Sequence, residues 1–225
     1  MNTPQPLKPL STTVKIALHT RDAVNLWTGT PPNAHESRRN IGMQFYMLRL
    51  KRIEWAAAHD DPWADYWQSK LKQKLNTATQ LITSLRQQTA RLFHSVPDAL
   101  TTSQCRNPDP ARFTLSLSLI SPLGMQTLYL LVNFDLLICE LIQAQQFALI
   151  SRRRKSQLRL QGASAIQSIY QLAQEFHFTG VTRQDVREGN LLALHATKLM
   201  SNLPDELLTS TQDVKQTPES DQSKE

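Results

Sequence analysis

Residues 112–155 read RFTLSLSLISPLGMQTLYLLVNFDLLICELIQAQQFALISRRRK, and the fold turns on how this stretch is divided. From Arg112 to Ile120 the pattern alternates, with Phe113, Leu115, Leu117 and Leu119 against Thr114, Ser116 and Ser118. A period of two suits a half-buried strand. Ser121-Pro122 then reads as a helix start: serine can cap the first N–H groups, and proline at the first helical position loses nothing by lacking its own. The helix that follows is apolar nearly all round, as a helix packed among others must be. Gln126, Asn133, Asp135 and Glu140 interrupt it and would be costly in lipid, so the expectation is the core helix of a soluble protein. The run ends in Arg152-Arg153-Arg154-Lys155, read as a cationic helix end suited to the negative pole of the macrodipole or as a phosphate-contacting cluster.

Working outward, a chain of 225 residues is long enough for a substantial core. Its formal charge of +6 is unevenly spread. The segment after Pro204 holds six acids against Lys215 and Lys224, a net of −4, so the body is near +10. A basic body points to a polyanion, most often nucleic acid. Residues 1–12 form a proline-rich flexible arm without the apolar core of a signal peptide, and 205–225 an acidic disordered tail. Between them, 13–204 is expected to be a single helical domain. Cys105 and Cys139 have no metal-ligand spacing and read as free thiols of a reducing cytosol.

Toward the N-terminus, Thr13 to Thr20 alternates, with Val14, Ile16 and Leu18 opposite Thr13, Lys15, Ala17 and His19. A short helix over Arg21–Trp27 follows, stopped by Gly29. Ser37 is placed to cap a helix from Arg38 to about Ala58, with Met43, Tyr46 (or Met47), Leu50, Ile53 and Ala57 inward. Asp61-Pro62 opens a long amphipathic helix reaching about Phe93, and Ser156–Phe176 gives another. Thr182 and Asp185 form a capping box before a last helix interrupted at Gly189-Asn190.

Chemistry of other kinds finds no motif. There is no phosphate-binding glycine loop, zinc-ligand spacing or nucleophile elbow, so neither an enzyme nor a cofactor is expected. His59, Asp60, Asp61 and Asp65 cluster, but Asp61 is better used as a helix cap than as a metal ligand. The basic groups remain. Arg38-Arg39 at a helix start would oppose the dipole, which an anion there would relieve.

Strand, short helix, loop and second helix is the order of a ribbon-helix-helix unit, placed at 13–59. Two chains would pair their strands into a ribbon for the major groove, with Thr13, Lys15, Ala17 and His19 toward bases and Ser37 to Arg39 on the backbone. The competing arrangement pairs residues 14–18 with 113–119 inside one chain, and the long loop from Gly29 to Glu36 favours it. The strand at 112–120, followed by two helices, is a rival ribbon whose first helix is too long for the ordinary unit.

The segments ALHTRDAVNLWTG (17–29), AAAHDDPWADYW (56–67), SPLGMQTLYLLVNFD (121–135), FTGVTRQDVREG (178–189) and LMSNLPDELL (199–208) resemble the AcaB-like family of conjugative plasmids and integrative conjugative elements. The resemblance runs from about residue 13 to 209. It implies a dimeric, ribbon-helix-helix-related activator of conjugative transfer genes, and assigns no DNA-reading residue. Together these readings give a mainly α fold with a small β component, a ribbon-helix-helix-related unit on a larger helical body. The expected partners are double-stranded DNA, a second copy and RNA polymerase, with no membrane, in the cytoplasm at the nucleoid. Candidate DNA contacts are Thr13, Lys15, His19, Arg21, Arg38, Arg39, Arg152, Arg153, Arg154 and Lys155. The competing function is a non-catalytic accessory protein of conjugation acting through protein–protein contacts. Within 112–155, strand and helix are expected to be internal support, with only the Arg-Arg-Arg-Lys end reaching phosphate.

Overall fold

The structure, a computed structural model, describes residues 13–29, 41–97, 114–118, 121–200 and 203–204. The arm at 1–12, the tail at 205–225, Arg38, Arg39 and Cys105 lie outside the described residues. The chain is mainly helical. Strand β1 (Thr13–Ala17) leads into helices α1 (Arg21–Thr28), α2 (Met43–Ala58) and α3 (Pro62–Leu92). Strand β2 (Thr114–Ser118) leads into α4 (Pro122–Gln146) and α5 (Arg152–Gln174), and α6 (Arg183–Glu188) and α7 (Leu191–Met200) follow.

Helix α4 is the axis of the molecule. Ser121 caps it, its hydroxyl accepting the Gly124 N–H at 3.1 Å, and Pro122 takes the first position as expected. It is apolar all round because α1, α3 and α5 all pack on it. Leu128, Leu131, Phe134, Leu137 and Leu141 are buried. By length and composition α4 could cross a membrane, but most of its apolar window is covered by its neighbours. Against it, Gly162 of α5 comes so close that a Cβ there would sit 3.0 Å from the Phe134 ring. That glycine, costly within a helix, is what lets the two backbones approach.

Helix α3 presents Trp67, Leu71, Leu75, Ala78, Ile82 and Leu85 to this core, the stripe its sequence spells. The stripe ends on Thr89, while Leu92 is exposed. Asp61 caps α3 through the N–H groups of Trp63 and Ala64. Tyr46 of α2 packs its ring on Tyr170 of α5 at 5.1 Å and meets the Thr127 hydroxyl of α4 at 3.0 Å, so three helices meet at one side chain. Burial pushes the Tyr46 phenol up to about 12.

Two helix starts differ from the sequence reading. The stretch 112–155 does not continue as one helix into its cations. α4 stops at Gln146, Ala148 turns with φ 56°, and Ser151 caps a new helix by accepting the Arg154 N–H at 3.1 Å. Arg152 to Lys155 are therefore the first turn of α5, at the positive pole of its dipole. Likewise α2 begins at Met43 behind Gly42, not at Arg38 behind Ser37. Strand β1 is also shorter than read, ending at Ala17.

The C-terminal helices are clamped to the α2–α3 turn. The buried Arg183 donates to both Asp60 and Asp65, and its own N–H to the Asp60 carbonyl at 3.2 Å. Asp60 sits at φ 65° to make that turn. The acidic cluster at 60–65 is thus divided between a helix cap and an ion pair.

Candidate nucleic-acid interface

The ribbon is closed within one chain. β1 and β2 are antiparallel, with Thr13 opposite Ser118, Val14 opposite Leu117, Lys15 opposite Ser116, Ile16 opposite Leu115 and Ala17 opposite Thr114. Lys15 and Ala17 are exposed while Ile16 between them packs on the core. Alternation therefore puts Lys15 and Ala17 at positions of one parity, away from the core, and the register sets them opposite Ser116 and Thr114. The pairing inside the chain uses the backbone groups with which two chains would otherwise have joined here.

The ribbon's end is held by a carboxylate from the middle of α4. Asp135 is 1% exposed. Its Oδ2 accepts the His19 N–H at 2.9 Å and the His19 Nδ1–H at 2.8 Å. Its Oδ1 accepts the Thr20 N–H at 2.9 Å and the Thr20 hydroxyl at 2.7 Å. Thr20 in turn caps α1. One buried charge thus satisfies four donors at the joint between strand and helix, a use that justifies its removal from water. His19 is committed to this joint through Nδ1, and about a third of its side chain stays exposed.

Arg21, exposed, is the first residue of α1. Its neighbour Asp22 accepts from Arg159 of α5 at 2.7 Å. That pair sits at a cleft of about 300 Å³ floored by Ile138, Leu141 and Ile142 of α4 and rimmed by Asp22, Arg152, Lys155, Ser156 and Arg159. Arg152, Arg153 and Arg154 are exposed, and Lys155 is half-buried. Groups far apart in sequence are therefore neighbours: the ribbon's end, the start of α1 and the start of α5 follow one face of α4 from Asp135 to Ile142. Seven residues of helix span about 10 Å.

At the other second helix the situation is opposite. Ile41, Gly42 and Met43 are buried, and a Cβ on Gly42 would lie 2.4 Å from the Thr28 carbonyl carbon. The end of α1 thus plugs the N-terminus of α2, leaving no room for a phosphate on its first N–H groups. Ser37 to Arg39, expected to anchor phosphate there, lie outside the described residues; the helix they were expected to open starts later, at Met43, and its start is closed.

Sequence reasoning missed Asp135, Asp22 and the role of Arg159. Asp135 was visible only as a charge out of place in an apolar helix, and nothing local pointed from it to His19 and Thr20, more than a hundred residues away.

Comparison with known proteins bears on this geometry. The model of a family described as transcriptional regulator AcaB matches residues 7–219. A crystal structure of selenomethionine-containing AcaB from uropathogenic E. coli is similar in fold, with a TM-score of 0.53 at 8% sequence identity. The similarity covers 89% of this chain and 94% of that one. No curated protein matches the sequence.

Proposed function

The chain belongs to the AcaB family of transcriptional regulators, and from that premise we propose that it is a sequence-specific DNA-binding activator of conjugative transfer genes whose reading ribbon is completed within a single chain. Each strand leads into two helices, β1 into α1 and α2 and β2 into α4 and α5, as two subunits of a ribbon-helix-helix dimer would. One observation carries the reading: the end of the ribbon, held at His19 and Thr20 by Asp135, and the cationic start of α5 beside Ile142 lie along one side of α4. Their separation, about 10 Å along that helix, is comparable to the roughly 12 Å width of the major groove. A ribbon lowered into the groove brings Arg152, Arg153 and Arg154, with the free N–H groups of the α5 start, to the bordering phosphates.

In this reading Lys15, with Thr13, faces base edges and Arg21 flanks them. His19 sets the angle of the ribbon through Asp135 and offers DNA only its remaining ring edge. Arg38 and Arg39, which precede the closed helix start in sequence, add positive charge for the DNA backbone. The homodimer implied by the family resemblance then uses surface other than the ribbon; α7 exposes Leu191, Leu192, Leu194 and Leu199. As an activator in the cytoplasm, at the nucleoid, it meets RNA polymerase as well as DNA.

A gel-shift titration against DNA upstream of transfer genes, with random duplex as competitor, tests this. Binding should prefer the upstream duplex and weaken steeply with salt, by about 0.9 of log–log slope for each phosphate neutralised. Lys15→Ala should reduce affinity while leaving the unfolding transition in place. An accessory protein of conjugation would show no preference between the duplexes.

A further inference from the structure

The outward face of α2 combines exposed apolar side chains with arginines. Phe45, Leu48 and Trp55 are 43%, 66% and 51% exposed, and they recur at helical spacing with Arg49 and Arg52 between them. Arg49 lies over the Phe45 ring at 5.1 Å, and its Nε has no hydrogen-bond partner among the described residues. Arg52 lies over Phe178 at 5.9 Å, and Phe178 meets the edge of Trp55 at 5.3 Å. Glu54, the acid of this helix, points to the opposite side by its position in the helical turn. Among the residues of α2 the face is thus apolar and cationic, without a carboxylate.

We propose that this face is the docking site of the chain's own acidic segment after Pro204, beginning Asp205-Glu206-Leu207-Leu208. Three observations select that occupant. The segment starts beside the patch: the Met200 sulfur accepts the His177 N–H at 3.4 Å, one residue before Phe178, and Leu203 packs against the core just beyond. Its charge is complementary, six acids against two lysines. Its first residues carry both chemistries of the patch, two carboxylates for Arg49 and Arg52 and two leucines for Leu48 and Trp55. A second copy of the same face would set arginine against arginine, which is repulsive. Apolar patches of this size with a polar rim are ordinarily covered in use. The bound segment neutralises cations on a surface apart from the ribbon, leaving the DNA-facing cations to act alone.

Tryptophan fluorescence isolates the site, because Trp27, Trp63 and Trp67 are 2%, 1% and 4% exposed and only Trp55 is open to a quencher. Acrylamide quenching is compared between the full chain and the full chain bearing Asp205→Asn, Glu206→Gln, Leu207→Ser and Leu208→Ser. Trp55→Phe identifies the quenchable signal. The expected result is a loss of protection in the fourfold variant, seen as steeper quenching and a red shift that do not change on dilution. Identical quenching in the two chains overturns the proposal. So does protection that appears only as either chain is concentrated, which would mean a second copy, or only when duplex DNA is added.

Discussion

The two halves of the ribbon begin alike and end differently. β1–α1–α2 and β2–α4–α5 each run strand, helix, helix, and their strands pair with each other. In the first half a short α1 returns the chain so sharply that its end fills the start of α2 at Gly42. In the second, the long α4 carries the chain past the core, and α5 starts in the open with three exposed arginines in its first turn. The length of the first helix decides whether the second helix offers its N–H groups to an anion. A shared order of elements therefore does not confer a shared capacity to bind phosphate.

The strongest way to break this comparison is to cut the tie between the halves. Asp135→Ala leaves two backbone N–H groups, the His19 ring N–H and a hydroxyl without this acceptor and should cost about 3–5 kcal/mol of stability, read by denaturant unfolding. Asp135→Asn, with one acceptor oxygen left, should cost less. Next comes the closed start. Gly42→Ala forces a methyl onto the Thr28 backbone and should destabilise by about 1–3 kcal/mol. Gly162→Ala, whose methyl meets a ring that can shift, should cost less because alanine regains about 1 kcal/mol of helix preference.

The open start gives a smaller effect of opposite sign. Arg152→Ala, Arg153→Ala and Arg154→Ala together remove cations from the positive pole of α5 and should raise stability, by at most about 1 kcal/mol in thermal melts. The same variant should bind DNA less tightly and lose roughly three units of salt slope. Stability gained together with affinity lost is the signature that separates a phosphate site from a merely solvated helix start.

The smallest effect lies outside both halves. The Thr182 N–H and hydroxyl, with the Asn190 amide, hold the Asp185 carboxyl below its ordinary 3.8. Its stabilisation is present above pH 3.8 and is lost as the pH falls through the lower folded value. Asp185→Asn should therefore lower the melting temperature at neutral pH, and the difference from the parent should close in acid. Asp61 is the opposite case: burial raises its carboxyl, so the native chain takes up that proton before the unfolded one and loses stability there as the pH rises.

Local chemistry was the legible part. Ser121-Pro122, Asp61-Pro62 and Thr182 with Asp185 mark helix starts because each cap reaches only two or three residues. The inward stripes of α3 and α5 followed from spacing alone. Two boundaries were misjudged for reasons that can be named. No glycine or proline separates α4 from α5; the turn falls on Ala148, and the signal was Ser151 ahead of a cationic run that the dipole rule assigned to the wrong helix end. Ser37 has the chemistry of a cap, yet Gly42 is the cap, because only glycine fits against Thr28. The alternation of both strands was plain, but their register, and the meeting of Lys15 with Ser116, depend on contacts that a local pattern does not contain.

Closing the ribbon within one chain has a consequence for synthesis. Thr13 must wait for Ser118, about a hundred residues later, and the joint at His19 must wait for Asp135. Contacts of such sequence separation form late. On the ribosome the N-terminal strand emerges with no partner, and the ribbon with its joint to α4 does not exist until α4 has followed. A product truncated before residue 114 would then lack both the ribbon and the arginines. Under the proposed DNA-binding reading it would be inert at a promoter rather than a competitor for it.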